Sequence, residues 1–158
     1  MTAIEELRIM ALEHSRKRSP SMPDAYRVIT KYKDNTANGL TTCILDWLHF
    51  NGHRADRISS AGRFIEGESV TDVVGRVRQM KGSFIPGQTR KGYADIEATI
   101  KPLGSKYAVP VKIEVKQKDK QSDVQKEFQR KEEAAGGIYI LVRTFEEFLT
   151  EYKKIIAL

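Results

Sequence analysis

The stretch Lys91-Gly-Tyr-Ala-Asp-Ile-Glu-Ala-Thr-Ile100, followed by Pro110-Val-Lys-Ile-Glu-Val-Lys116, decides the fold of this chain. Both segments are short and apolar, as β-strands are. Between them, residues 102–108 contain Pro102 and Gly104, which are typical of a loop. We therefore predict two neighbouring antiparallel strands.

These strands bring polar side chains to one place. Because side chains alternate between the two faces of a strand, Glu114 and Lys116 point the same way, while the opposite face carries Val111, Ile113 and Val115 toward the core. Asp95 comes just after the glycine turn at Gly92 and just before this partner strand. Two carboxylates and a lysine at one sheet edge can hold a divalent metal and manage a nucleophilic water, which phosphodiester hydrolysis requires.

The donor set fits an octahedral Mg²⁺ site. Asp95 and Glu114 would supply carboxylate oxygens, the backbone carbonyl of Val115 a third oxygen, and water the rest. Lys116 would orient the attacking water or neutralise charge that builds on the phosphate. Glu97 shares the strand face of Asp95 and is either an extra ligand or solvated surface. A Glu-x-Lys pair alone is common on exposed strands, so the interpretation depends on Asp95.

Capping residues and apolar periodicity predict four helices. We expect them after Thr2, over residues 37–51 with a cap at Thr36 or Asn38, from Ser122 to the Gly136-Gly137 stop, and after Thr144. The Ser19–Pro23 stretch breaks the first helix, and residues 24–34 are ambiguous.

The strand pattern completes the fold class. Residues 54–68 resemble a strand pair that turns near Ala61-Gly62, and 138–142 form a compact apolar strand, whereas 70–81 fit either a helix or a strand. A strand, a helix and a strand over 111–142 imply a parallel pair. The predicted class is α/β, with a small mixed β-sheet flanked by helices. We expect one globular domain overall, with an N-terminal helix and linker over 1–23 and the main domain over 24–158.

Composition limits the function classes. The chain has 158 residues and a net charge of +6, with basic clusters that would suit a polyanion such as nucleic acid, although a basic solvated surface explains them equally well. The single cysteine, Cys43, excludes an internal disulfide and is expected to pack in the core. Without an apolar run of membrane-spanning length or a signal-peptide pattern, we expect a cytoplasmic protein with no membrane partner. The sequence contains no phosphate-cradling glycine loop, and we expect no organic cofactor.

The ordered motifs Gly92-Tyr-Ala-Asp95, Ile113-Glu114-Val115-Lys116, Gln121-Ser122-x-x-Gln125 and Gly136-Gly137-x-Tyr139 resemble the PD-(D/E)XK nuclease superfamily. Within it, the chain is most similar to the virus-type replication-repair nuclease (VRR-NUC) family, in the small stand-alone form of phages and bacteria. The resemblance covers about residues 36–148. It implies a restriction-endonuclease-like core and Mg²⁺- or Mn²⁺-dependent DNA cleavage by a metal-activated water. It also implies a homodimer that cuts branched DNA such as Holliday junctions, in a bacterial or phage-infected cell.

The resemblance assigns roles to individual residues. Asp95, Glu114 and Lys116 fall on the metal-binding and catalytic signature, and Gln125 falls on a glutamine near the active site. Ser122-x-x-Gln125 is also a capping box, and one glutamine does not easily serve both roles. Catalysis and capping therefore stay open as alternatives for Gln125.

One part of the family pattern is missing. The family carries a glutamate in the helix before the first strand, but the corresponding stretch Thr36-Ala-Asn-Gly-Leu40 has no acid. Asn38 could supply a neutral carbonyl oxygen, and Asp46 is expected to be an exposed charge. We therefore expect one metal ion rather than two.

Candidate DNA contacts are basic residues on a strand near the DNA side of the family fold and around the proposed site: Arg57, Arg63, Arg90, Lys91, Lys118 and Lys120. His14, His49 and His53 have no ligand-like pairing and are expected to be structural or exposed. Three alternatives to a junction-cutting enzyme remain. They are a nuclease for flap, nicked or plain duplex DNA, a non-catalytic DNA-binding module with a degraded metal site, and a protein-interaction domain whose basic charge is incidental.

Overall fold

The computed structural model describes residues 1–58, 63–67, 69–71, 73–79, 81–85 and 92–158. Its strands, in chain order, are Arg54–Arg57 (β1), Arg63–Ile65 (β2), Ser69–Thr71 (β3), Val77–Gln79 (β4), Ser83–Ile85 (β5), Ile96–Ile100 (β6), Val109–Val115 (β7) and Ile138–Val142 (β8). Its α-helices are Ala3–Arg18 (α1), Ala37–Phe50 (α2), Asp123–Ala134 (α3) and Phe145–Ile156 (α4).

The central sheet has the strand order β1-β6-β7-β8. β6 pairs antiparallel with both β1 and β7, whereas β7 and β8 are parallel. A loop therefore suffices between β6 and β7, while the parallel pair needs the crossover that contains α3. The predicted antiparallel neighbours, the parallel pair and the α/β class with a small mixed sheet flanked by helices are confirmed.

One face of this sheet forms the hydrophobic core. The alternating residues of β6 and β7 that face it are at most 5% exposed, namely Ile96, Ala98, Ile100, Val111, Ile113 and Val115. They belong to one buried cluster with residues of α1, α2 and α4. Cys43 lies in this cluster, as expected, and burial raises the pKa of its thiol to about 11.

Capping explains where the helices begin. Thr2 and Glu5 form the predicted capping box of α1, and the Thr36 side chain accepts a hydrogen bond from the Gly39 N–H at the start of α2. Of the two caps proposed for α2, the structure therefore selects Thr36. No helix in the described part of the chain is both long and apolar enough to cross a membrane.

The apolar stripes of the first and last helices face inward. Leu7 and Ala11 of α1 lie in the same buried cluster as the stripe of α4, which comprises Phe145, Phe148, Leu149, Tyr152 and Ile155. Core packing therefore accounts for these stripes.

The segment between β1 and β6 differs from the prediction for residues 54–68. Strands do form at 54–57 and 63–65, but they do not pair with each other, because β1 joins β6 and β2 pairs with β5. β1 is held by Ala55, whose position opposite Ala98 lets both small side chains lie in the core. The proposed turn at Ala61-Gly62 lies outside the described residues. In the ambiguous 70–81 stretch, β3 and β4 form an antiparallel pair.

The ambiguous stretch before α2 is fixed by polar contacts. Tyr32 is buried, and its hydroxyl donates a 2.7 Å hydrogen bond to Asp46. The expectation that Asp46 is an exposed charge is therefore wrong, since its carboxylate is half-buried and serves Tyr32.

Arg27 fastens this stretch to the end of α1. Its guanidinium donates to the backbone oxygens of Ser15, Ser19 and Met22 at 2.7, 2.8 and 2.5 Å, and to the Asp24 carboxylate at 3.0 Å. The Arg27 side chain is only 2% exposed. Because a guanidinium has five N–H donors, this one side chain can bind all three backbone carbonyls and the carboxylate.

We expect Arg27→Ala to lower the free energy of unfolding by about 2 kcal/mol or more, since it leaves part-buried carbonyls without donors. The matched control is Arg16→Ala, which removes an exposed, solvent-screened pair with the same Asp24 and should cost clearly less. Urea denaturation of both variants measures the difference. Equal costs would show that the Arg27 network does not hold the turn.

Candidate active site

Asp95 and Glu114 lie side by side on the sheet face opposite the core. In the β6–β7 ladder Ile96 is paired with Ile113, so the next step of the register places Asp95 opposite Glu114. Asp95 Oδ2 accepts a 2.9 Å hydrogen bond from the Val115 N–H. The backbone oxygen of Asp95 accepts from the Ile58 N–H at 2.8 Å, which ties the residue to β1 as well.

Glu114 is the most deeply buried charged side chain among the described residues, with 1% of its surface exposed. Its Oε1 accepts from the Lys116 ammonium at 2.9 Å and from the Gln125 amide at 2.5 Å. Its Oε2 accepts from the Tyr139 hydroxyl at 3.3 Å. Three donors on separate elements thus converge on one carboxylate. The predicted neighbours Glu114 and Lys116 are in direct contact.

Burial raises the pKa of the Glu114 carboxyl above its ordinary value, and the Asp95 carboxylate acts in the same direction. The Lys116 ammonium and the Tyr139 hydroxyl oppose this shift by stabilising the ionised form. Since the folded-state pKa is raised, the stability that Glu114 contributes is greatest at low pH and is lost as the pH rises through that pKa. The ionised carboxylate therefore costs stability at neutral pH.

Gln125 forms the predicted capping box and also contacts Glu114. Its Oε1 accepts from the Ser122 N–H at 3.0 Å, and the Ser122 hydroxyl accepts from the Gln125 N–H at 3.3 Å, which completes the capping box of α3. The Nε2 group donates to Glu114. The two ends of one amide, an acceptor and a donor, make both contacts compatible.

The site offers two carboxylates to a cation. No group of three or more acidic, histidine or cysteine side chains suited to a metal occurs among the described residues. An ionised carboxylate has about four acceptor positions, and protein donors fill three of them on Glu114, so one remains at Oε2. With Asp95 and the Val115 carbonyl as further donors, the set fits one Mg²⁺ or Mn²⁺ ion that keeps several waters.

The side chain of Asn38 is hydrogen-bonded to Arg57. Its Oδ1 accepts a 2.7 Å hydrogen bond from the Arg57 guanidinium. Arg57 lies opposite Ile96 in the β1–β6 ladder, so this pair is next to Asp95 along the sheet. The amide oxygen proposed as a metal ligand therefore accepts from a cation in this structure.

The other basic candidates are placed only in part. Lys118 and Lys120 are exposed in the loop that leads from β7 to α3. The backbone of Arg63 lies in β2, and its side chain is outside the described part of the structure; Arg90 and Lys91 lie outside it altogether.

The three histidines have separate surroundings. His14 packs on Phe50, the His49 ring bonds to the Ala55 carbonyl, and the His53 ring bonds to the Tyr152 hydroxyl. These contacts fit the structural roles expected from the sequence.

Sequence reasoning gave no role to Tyr139 and Gln121, although both stand in the quoted motifs. Tyr139 contacts Glu114 and accepts a 3.2 Å hydrogen bond from the Gln121 amide. A tyrosine in the otherwise aliphatic strand 138–142 is the signal that could have identified it, since a buried hydroxyl needs a partner.

No protein-family model matches this chain, and comparisons with curated proteins and with solved structures find no significant match. The nuclease resemblance therefore stays a prediction drawn from the residues.

The two roles of Gln125 can be separated by substitution. Gln125→Glu keeps a capping-box residue but turns a carboxylate oxygen toward Glu114, so we expect it to lower the free energy of unfolding by about 1–3 kcal/mol near neutral pH. Ser122→Ala removes the cap alone and should cost about 1 kcal/mol at every pH. Denaturation at pH 5 and pH 8 distinguishes them, because protonation of the carboxylate pair at low pH should relieve only the first cost. A Gln125→Glu cost that does not change with pH would contradict the contact with Glu114.

Proposed function

We propose that this chain is a metal-dependent DNA endonuclease with a restriction-endonuclease-like core, which hydrolyses phosphodiester bonds in branched DNA such as Holliday junctions. The observation that carries the proposal is the buried Glu114 carboxylate, which lies opposite Asp95 and is held by Lys116 and Gln125. These are the residues that the nuclease resemblance assigns to the site.

The energetics of Glu114 support a functional role. Moving a carboxylate out of water costs several kcal/mol, and an ion pair in the interior often fails to recover that cost. A carboxylate held at a buried position at a cost in stability is typical of a site kept for binding or catalysis.

Each residue has a distinct task in this proposal. Asp95 and Glu114 bind the cation, and Gln125 and Tyr139 fix the orientation of Glu114 through Oε1 and Oε2. A bound Mg²⁺ or Mn²⁺ lowers the pKa of water and offsets negative charge at the phosphate. Lys116, whose side chain is 18% exposed, is close enough to the surface to orient the attacking water or to contact the phosphate.

The charge of the chain suits a DNA substrate. The net charge is +6, and exposed Lys118 and Lys120 follow directly after the strand that carries the site. Phosphate contacts of this kind position a duplex without reading its sequence, which is compatible with selection by DNA shape. A four-way junction offers two symmetric cleavage positions, so we propose that two copies act together as a homodimer.

One observation favours a second candidate, a non-catalytic DNA-binding module. Only two carboxylates meet at the site among the described residues, and Asn38 is bound to Arg57. A module of this kind would bind DNA without a divalent cation and would cut nothing.

Cleavage of labelled four-way junction, flap, nicked duplex, plain duplex and single-stranded DNA tests the proposal. With Mg²⁺ or Mn²⁺ we expect paired symmetric cuts in the junction, and EDTA should abolish them. Asp95→Asn and Lys116→Met should each lower the rate by about a hundredfold or more, because both remove groups that act on the reacting phosphate. Lys154→Ala is the matched control, since it removes a lysine from an exposed pair with Glu151 on α4 and should leave the rate unchanged.

The outcomes separate the candidates. Metal-dependent cuts confined to flap, nicked or plain duplex DNA would keep the mechanism and replace the substrate. Binding without cleavage in either metal would support the binding module and reject the enzyme. Activity that survives in Asp95→Asn would show that the hydrolytic site lies elsewhere.

A further inference from the structure

A second polar cluster lies beside the proposed active site, and its centre is the buried Lys112. The residue is 5% exposed, and it precedes Glu114 by two positions on the same face of β7. Its ammonium donates to Glu97 Oε1 at 2.6 Å and to the Tyr93 hydroxyl at 2.9 Å. The Tyr93 hydroxyl also donates to Glu97 Oε2 at 3.3 Å, which closes a triangle of three polar groups.

Two members of this triangle, Tyr93 and Glu97, flank Asp95 in the sequence. Tyr93 comes two residues before Asp95, and Glu97 comes two residues after it on the same strand face. Lys112 is paired with Glu97 across the β6–β7 ladder, so its side chain lies next to that of Glu97. The residues two positions before and two positions after Asp95 are therefore joined through one ammonium group.

The same cluster also contacts α3, the helix whose Gln125 donates a hydrogen bond to Glu114. The Tyr93 ring packs against Phe128 of α3 with a centroid distance of 4.7 Å, and Phe128 contacts the ring of Tyr139 at 6.2 Å. The Lys112 ammonium lies 5.0 Å from the centre of the Tyr93 ring, which adds a cation–π contact. The position of Tyr93 thus affects the contacts of α3 as well as the segment that leads into Asp95.

Gly92 shows how closely this segment and α3 approach each other. It has a φ of +86°, and a Cβ atom built on it would lie 2.9 Å from the backbone of Val124 in the first turn of α3. The backbone just before Asp95 therefore has little room to shift on that side. The hydrogen bond from the Lys112 ammonium to the Tyr93 hydroxyl restrains the same segment.

We propose that Lys112 is a positioning residue, which holds the Asp95 carboxylate in place for metal binding by bridging Tyr93 and Glu97. The role in catalysis rests on the proposed nuclease function, but the positioning itself can be measured without metal or DNA. Glu97 is accordingly a partner of Lys112, with both of its oxygens engaged, rather than a further metal ligand.

The Val115 amide reports on Asp95 directly, because its N–H donates to Asp95 Oδ2. In Lys112→Met, we expect hydrogen exchange at Val115 to accelerate about tenfold, the change that follows from weakening one charge-assisted hydrogen bond. Exchange at Ile113 should stay unchanged relative to the global stability, since this residue is paired with β6 and β8 on its two sides. NMR of metal-free protein measures both amides in one experiment.

The control is Tyr32→Phe, which removes another buried hydrogen bond at a site between α2 and the preceding stretch. It should lower the overall stability without changing the ratio of Val115 to Ile113 exchange. Lys112→Arg retains the charge and should restore part of the Val115 protection. Should Lys112→Met fail to fold, Tyr93→Phe removes only the hydroxyl that bonds to Lys112 and Glu97. The same comparison of Val115 and Ile113 exchange then tests the proposal.

The metal-dependent consequence is a weaker cation site. Groups that orient metal ligands typically change affinity or activity 10- to 100-fold, so we expect Mn²⁺ binding to Lys112→Met to weaken by roughly that factor. Equal acceleration at Val115 and Ile113, or none at Val115, would overturn the proposal. Wild-type protein that neither binds Mn²⁺ nor cuts DNA would reject the nuclease function, while the exchange result would still decide the role of Lys112.

Discussion

The constraint on which this structure depends is the burial of a carboxylate at the centre of its sheet. Glu114 has 1% of its surface exposed and is tolerated because Lys116, Gln125 and Tyr139 surround it with donors. Removing any one donor leaves a charge in a poorly solvated place, where an unsatisfied group is costly. The elements that carry these residues are therefore coupled through the site as well as through the core.

The two faces of the sheet are held by different forces. Helices α1, α2 and α4 bury apolar stripes against one face, whereas α3 has no fully buried residue. Helix α3 is held by the hydrogen bond from its capping residue Gln125 to Glu114. The ring of Phe128, which packs against Tyr93 and Tyr139, also holds it. Helix α3 is therefore attached to the sheet through a polar and an aromatic contact at the site rather than through the hydrophobic core.

Local signals explain how much the sequence could predict. The caps at Thr2 and Thr36, the loop between β6 and β7, and the alternation along β7 are encoded within a few residues, and each is confirmed. The partner of β1 is not encoded nearby, because antiparallel pairing with β6 depends on two small alanines 43 positions apart. The Arg27 network and the Lys112 triangle are not predictable from local patterns for a related reason, since the sequence around a basic residue does not distinguish a solvated side chain from a buried one.

If the proposed nuclease function holds, the charge of the site limits how many metal ions it can accept. Asp95, Glu114 and Lys116 together carry a formal charge of minus one, so a single divalent ion gives a net charge that one phosphodiester neutralises. A second ion would add two positive charges next to Lys116, in a region where Arg57 already binds Asn38. Because charges interact more strongly at a partly buried site than in water, that excess would be unfavourable without another acid. If the proposed nuclease function holds, the absence of an acid from the stretch 36–40, where the resemblance implies a glutamate, therefore favours a one-ion site in which the DNA phosphate completes the charge balance.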